Sequence, residues 1–94
     1  MKNEASELFR KCVEAVPEDM RIKVDLSFDI STRIDFLMKK EGLTQKEFAK
    51  RMNKTEAEVS RWLSGRHNFT LATLAKISAE LQADIIEVRK TLEK

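Results

Sequence analysis

Hydrophobic and polar positions divide the chain into stretches of different period. Residues 3–16 set Ala5, Leu8, Phe9, Cys12, Val13 and Val16 at the spacing i, i+3, i+4, i+7 with charged residues between them, which predicts an amphipathic helix. Pro17 interrupts it, because a ring nitrogen cannot donate to the helical ladder. Glu18 and Asp19 then suit the first turn of a new helix, whose dipole favours negative charge. From Met20 to Ile30 the apolar residues alternate strictly: Met20, Ile22, Val24, Leu26, Phe28 and Ile30. By period this is a strand, yet a strand needs a pairing edge, and only the short Ile85, Ile86, Val88 segment offers one. Read as a helix, Met20, Val24, Phe28 and Ile30 share one face while Ile22 and Leu26 emerge opposite. Such a two-sided helix needs a second surface, for example a partner subunit. Helix is the favoured reading, strand remains open, and both hint at subunit contact.

Beyond Ile30 the period is helical through Ile34, Leu37 and Met38. Gly42 is the stop, preceded by Lys39 and Lys40, the charges a helix end favours. Two start signals follow, Thr44-Gln45-Lys46-Glu47 and Thr55-Glu56-Ala57-Glu58. Each is a Thr-x-x-Glu capping box in which hydroxyl and carboxylate satisfy orphan amides reciprocally. They predict helices over 45–52 and 56–64, joined by Asn53, Lys54 and Thr55, with Asn53 able to take the left-handed conformation. Gly65 ends the second helix, Arg66-His67-Asn68-Phe69 forms a loop, and Thr70 caps a helix carrying Leu71, Leu74, Ala75, Ile77 and Leu81. Residues 83–94 form a tail in which Ile85, Val88 and Leu92 can continue the core.

Composition narrows the class. The 94 residues hold 41% hydrophobic and 36% charged side chains with only two glycines and one proline, which fits one helical domain and excludes a sandwich rich in turns. Cys12 cannot form an internal disulfide, and no long apolar run or leader opens the chain, so a soluble, cytoplasmic protein without a membrane partner is expected. With a single His67 and a single Cys12, zinc sites built from Cys and His are excluded, and no metal or cofactor is expected. Cys12 reads as a buried small hydrophobe, Asp25 and Asp29 as a solvated face, and His67 as a loop hydrogen-bonding residue. No constellation supports an enzyme.

Net charge is only +2, but it is unevenly placed. Residues 39–66 carry Lys39, Lys40, Lys46, Lys50, Arg51, Lys54, Arg61 and Arg66 against Glu41, Glu47, Glu56 and Glu58, a net of +4, while residues 1–38 sum to −2 and residues 67–94 to zero. Phosphate neutralisation supplies most non-specific affinity for DNA, so this skew suits a DNA contact face.

Two short helices joined by a three-residue turn are the geometry that sets a second helix in the major groove while the first lies across the backbone. Here the run LTQKEFAKRMNKTEAEVSRWLSGRHNFTLATLAKI, with Gln45, Ala49, Val59, Trp62-Leu63-Ser64-Gly65 and Phe69-Thr70-Leu71, resembles the lambda-repressor-like, Cro-type (XRE) helix-turn-helix family over about residues 30–82. Asn53 departs from the family's usual glycine. The resemblance implies an all-α, compact five-helix DNA-binding domain over 30–82, to which the chain adds an N-terminal amphipathic helix within 1–29 and the tail 83–94. The layout and the segment Trp62–Thr70 also resemble HigA-type antitoxins of bacterial toxin–antitoxin pairs, which implies a small toxin protein as partner.

Roles follow residue by residue. Arg61 shares a face with Ala57 and points away from Val59 and Trp62, so its guanidinium can meet guanine O6 and N7, a bidentate contact worth about 1–3 kcal/mol of discrimination. Glu56 and Ala57 lie where the family reads bases and suit cytosine N4 and a thymine methyl; Ser60 is adaptable. Gln45 matches the family's phosphate-contacting glutamine, while Lys46, Lys54, Thr55, Ser64, Arg66 and Asn68 are candidate backbone contacts. One recognition helix per chain implies a homodimer on a double-stranded operator, its two helices about 34 Å apart, with residues 1–29 the candidate for dimerisation or toxin binding. The expected function is a transcriptional repressor. The alternative is a protein-interaction module using the helix-turn-helix only as scaffold, which acidic Glu56 and Glu58 favour.

Overall fold

The computed structural model describes residues 4–90, over which five α-helices follow one another: α1 (Glu4–Ala15), α2 (Glu18–Lys40), α3 (Gln45–Met52), α4 (Glu56–Trp62) and α5 (Leu71–Leu81). No strand occurs among the described residues, so the fold is all-α and the alternating stretch Met20–Ile30 is helix. The pairing edge it would have needed is missing, because Ile85 is buried among helices instead. α2 begins on Pro17, at φ −59°, whose carbonyl accepts the amides of Met20 and Arg21 at 3.1 and 3.2 Å. It continues without a break through Ile30 into the Ile34, Leu37, Met38 stripe, 23 residues in all.

Helix ends are closed by left-handed residues, as a paired last turn requires. After α2, Gly42 at φ +70° lets the Leu43 amide reach the Met38 carbonyl at 2.9 Å. After α3, Asn53 at φ +59° lets the Lys54 amide reach the Ala49 carbonyl at 2.8 Å. After α5, Gln82 takes the same conformation at φ +53°, a role its sequence position does not announce. α4 is two residues shorter than the expected 56–64. Leu63 caps it and Ser64 turns back, its amide on the Arg61 carbonyl at 3.2 Å.

The core lies between the second half of α2 and α3, α4 and α5. Ile34, Phe48, Val59 and Ile77 are its fully buried centre, and Phe48 meets Trp62 edge to face with ring centroids 6.1 Å apart. α1 is the additional N-terminal helix, and α2, α3, α4 and α5 enclose the core. The segment after Gln82 is not helical there. It folds back over the core, with Ile85 buried, its amide donated to Ser78 Oγ at 3.3 Å, and Arg33 Nε donating to the Asp84 carbonyl at 2.9 Å. Val88 stays exposed instead of extending the core, and Leu92 lies outside the described residues.

Among the described side chains, α1 and the first half of α2 supply no residue to the buried hydrophobic cluster; Ser27 is buried outside it. Cys12 is exposed, not buried as its place on an apolar stripe suggests. Leu8 is exposed beside it, and the side chains of Ala5, Phe9 and Val13 lie outside the described ones. The radius of gyration, 17.4 Å, exceeds the value of about 12 Å expected for a compact chain of this length, in keeping with α1 and the start of α2 extending from the core as an arm. No helix among the described residues is long and apolar enough to cross a membrane.

Candidate nucleic-acid interface

The α3–turn–α4 unit is fixed by local chemistry. In both capping boxes the reciprocal bonds are present: Glu47 and Glu58 amides donate to Thr44 and Thr55 Oγ1 at 3.1 Å, and the carboxylates accept the two threonine amides at 2.8 and 2.9 Å. Those bonds, above all the amide of Thr55, hold the Glu58 carboxyl below its ordinary value, with Lys54 and Arg61 lowering it further. The Thr44 amide does the same for Glu47. Both glutamates are thus held in their charged, accepting form by the caps they make.

α4 buries Val59 and Trp62 against α3 and turns Glu56, Ala57, Ser60 and Arg61 to solvent on its other side. The four residues expected to read bases are therefore brought together on one exposed face. Glu58 is spent on its cap, and no ion pair within 4.0 Å engages Arg61 among the described residues, so the two do not neutralise each other as an i, i+3 surface pair. Lys46, Lys50, Lys54 and Arg66 are likewise exposed and without such a pair. Arg51 is different: it reaches Glu80 at 3.6 Å and Glu41 at 3.9 Å, tying α3 to α5 and to the end of α2. Lys39 pairs with Asp35 at 2.9 Å.

Gln45 is the first residue of α3 and is exposed, as is Asn68 in the loop after α4. Two expected backbone contacts have their hydroxyls engaged. Thr55 caps α4, and Ser64 Oγ donates to the Arg61 carbonyl at 2.8 Å while accepting the Arg66 amide at 3.2 Å. Among the described residues His67 makes no hydrogen bond; its ring stands edge to face on Phe69 with centroids 4.7 Å apart.

One residue that positions this surface escapes sequence reasoning. Ser31, buried in α2, donates to the Trp62 carbonyl at 2.6 Å and accepts the Gly65 amide at 3.1 Å. It thereby closes the carboxyl end of α4 and anchors it to α2. The available signal was polar residues, Ser27 and Ser31, on the stripe that continues to Ile34 and Met38. Gly65, at φ +86°, approaches Phe28 so closely that a Cβ built there would lie 3.2 Å from Phe28 Cδ1.

Comparison with known proteins agrees with this geometry. No curated protein matches the chain. Among solved structures, the chain is similar to the crystal structure of an HTH_3 family transcriptional regulator from Vibrio cholerae, at 27% identity and a TM-score of 0.61. The match covers 67% of this chain but 35% of that one, so the chain spans about a third of that regulator's length. The helix-turn-helix family HTH_3 itself matches residues 35–88, more than half of the chain and the whole of α3, α4 and α5. On that match and on the geometry of α3 and α4, the chain belongs to the HTH_3 helix-turn-helix family.

Proposed function

We propose that the protein is a sequence-specific DNA-binding transcriptional repressor of the bacterial cytoplasm. It would place α4 in the major groove and act as a symmetric dimer on an operator with two half-sites. The observation that carries the reading is the state of α4: capped at one end, tied to Ser31 at the other, with Arg61 exposed and unpaired between flanking cations. In this reading Glu56, Ala57, Ser60 and Arg61 face base edges, and Gln45, Lys46, Lys54, Arg66 and Asn68 grip phosphates. Thr55 and Ser64 serve the same surface by fixing the two ends of α4.

A gel-shift titration against the DNA upstream of the protein's own gene, at several salt concentrations, tests it. Binding should weaken with salt at a slope near −0.9 per phosphate neutralised. Absence of binding, or binding without a salt slope, overturns the reading and leaves the helix-turn-helix as an interaction scaffold. A second reading, antitoxin of a toxin–antitoxin pair, is favoured by the exposed apolar residues of α1 and α2, Leu8 and Met20 among them. A stoichiometric small protein that co-purifies with the native chain would support it; purification of the chain alone would remove it.

A further inference from the structure

Between the first half of α2 and the segment that follows α4 lies a groove of about 340 Å³. One face of α2 supplies Ile22, Leu26 and Ile30, and the core side supplies Phe69 and the buried Leu74, so the walls are apolar. Small-molecule sites have volumes of about this size, apolar walls and a few placed polar groups. Benzene fills an apolar cavity of about 150 Å³, so a molecule longer than one ring fits here. Ser27 supplies the polar group. It lines the groove on the same face of α2 and is only 8% exposed, yet its hydroxyl has no hydrogen-bond partner among the described residues. Every fully occluded side-chain nitrogen or oxygen there does have a partner, so the Ser27 hydroxyl is reached from outside, and the groove is the opening it lines. Ser31, one turn further on, shows the contrast, since its hydroxyl both donates and accepts. A nearly buried hydroxyl without a partner carries a cost that an incoming donor or acceptor removes.

Charge narrows the ligand. The ionisable residues that line the groove are Asp19 and Lys23, one of each sign and both exposed, so the rim favours neither an anion nor a cation. An unpaired charge placed against the apolar walls is costly. We infer that the groove binds a small uncharged molecule, apolar over most of its length and carrying one hydroxyl, ketone or amide group that bonds to Ser27. Asn68 also lines the groove, and it is one of the residues assigned to phosphate above. An occupant that engages Asn68 withdraws it from DNA, so the site tunes operator binding. That consequence alone rests on the DNA reading; the site itself does not.

Titration of the full chain with n-octanol, followed in amide proton–nitrogen correlation spectra without DNA, tests the site. Saturable shifts confined to residues 22–30 and 68–74 are expected, with a dissociation constant of about 1 mM or tighter. Octanoate and octylamine, which carry a charge on the same chain, should bind about tenfold more weakly. Ser27→Ala should weaken octanol binding about fivefold, and Ser27→Leu, which fills the groove, should abolish it. Val24→Ser, on α2 but outside the groove, should change nothing. Circular dichroism checks that each variant keeps its helices. Undiminished binding by Ser27→Ala, octanoate as tight as octanol, or shifts that spread equally to Met20, Val24 and Phe28 would each overturn the site. So would shifts of the same amides on raising the protein concentration alone, which would mean that a second copy of the chain covers the groove. In gel shifts, octanol should lower operator affinity about threefold for the unaltered chain and not for Ser27→Leu. Octanol that binds without this effect overturns the link to DNA alone, and a chain that binds octanol but no DNA overturns the DNA reading alone.

Discussion

Single residues decide which parts of this surface read DNA and which merely hold it. Arg61 and Lys54 are both cationic and exposed, but one stands on the outward face of α4 and the other in the turn before it. Arg61→Ala is therefore expected to reduce the preference for operator over random DNA, by about 1–3 kcal/mol, whereas Lys54→Ala weakens both alike and lowers the salt slope by about one; competition titrations at two salt concentrations separate the outcomes, and equal losses refute the assignment. Backbone conformation makes a second prediction. Gln82 holds φ +53° with its side chain exposed, so Gln82→Gly should raise unfolding free energy by about 1 kcal/mol, measured by urea denaturation. The equivalent sites at Gly42 and Asn53 were legible because glycine and asparagine advertise left-handed turns; glutamine does not.

At the scale of elements, the capping boxes are the best case of sequence carrying structure. Thr44 with Glu47 and Thr55 with Glu58 fix where α3 and α4 begin, and the bonds form as their spacing requires. Because both glutamates have carboxyls held below their ordinary value, their contribution to stability is complete above that value and is lost as pH falls through the lowered ones. Melting temperatures followed from neutral pH down to about pH 3 should show an acid decline that Glu47→Gln with Glu58→Gln makes shallower; an unchanged slope would remove the caps as its source. The end of α4 was less legible, since Trp62, Leu63 and Ser64 have no helix-breaking chemistry of their own. The stop comes from Ser31, thirty-one positions from Trp62. Ser31→Ala strands the Trp62 carbonyl and the Gly65 amide, and is expected to cost about 1–3 kcal/mol and to loosen α4, visible as faster amide exchange at residues 62–65. The alternating stretch of α2 misleads for a related reason: its period fits a strand, but on the helix the apolar residues fall on two sides that flank the buried Ser27 and stay largely exposed.

For the molecule as a whole, the contrast between a buried four-helix core and an exposed arm organises the predictions. Hydrogen exchange of the first half of α2 should be faster than that of the core amides of α3, α4 and α5; equal protection in both would mean that the arm is held as firmly as the core. Composition could not reveal this division, because the apolar residues of the arm count toward the same 41% as those of the core. Charge could, once split along the chain: the positive excess collects on the helix-turn-helix, while the first half of α2 carries four carboxylates, Glu18, Asp19, Asp25 and Asp29, against Arg21 and Lys23. One further consequence comes from the continuity of α2. At about 1.5 Å per residue its 23 residues form a shaft some 34 Å long, one end built into the helix-turn-helix and the other carrying the arm, with no hinge between them. Such a shaft fixes direction as well as distance: inserting a single residue midway would swing its amino-terminal end about 100° around the axis relative to the helix-turn-helix.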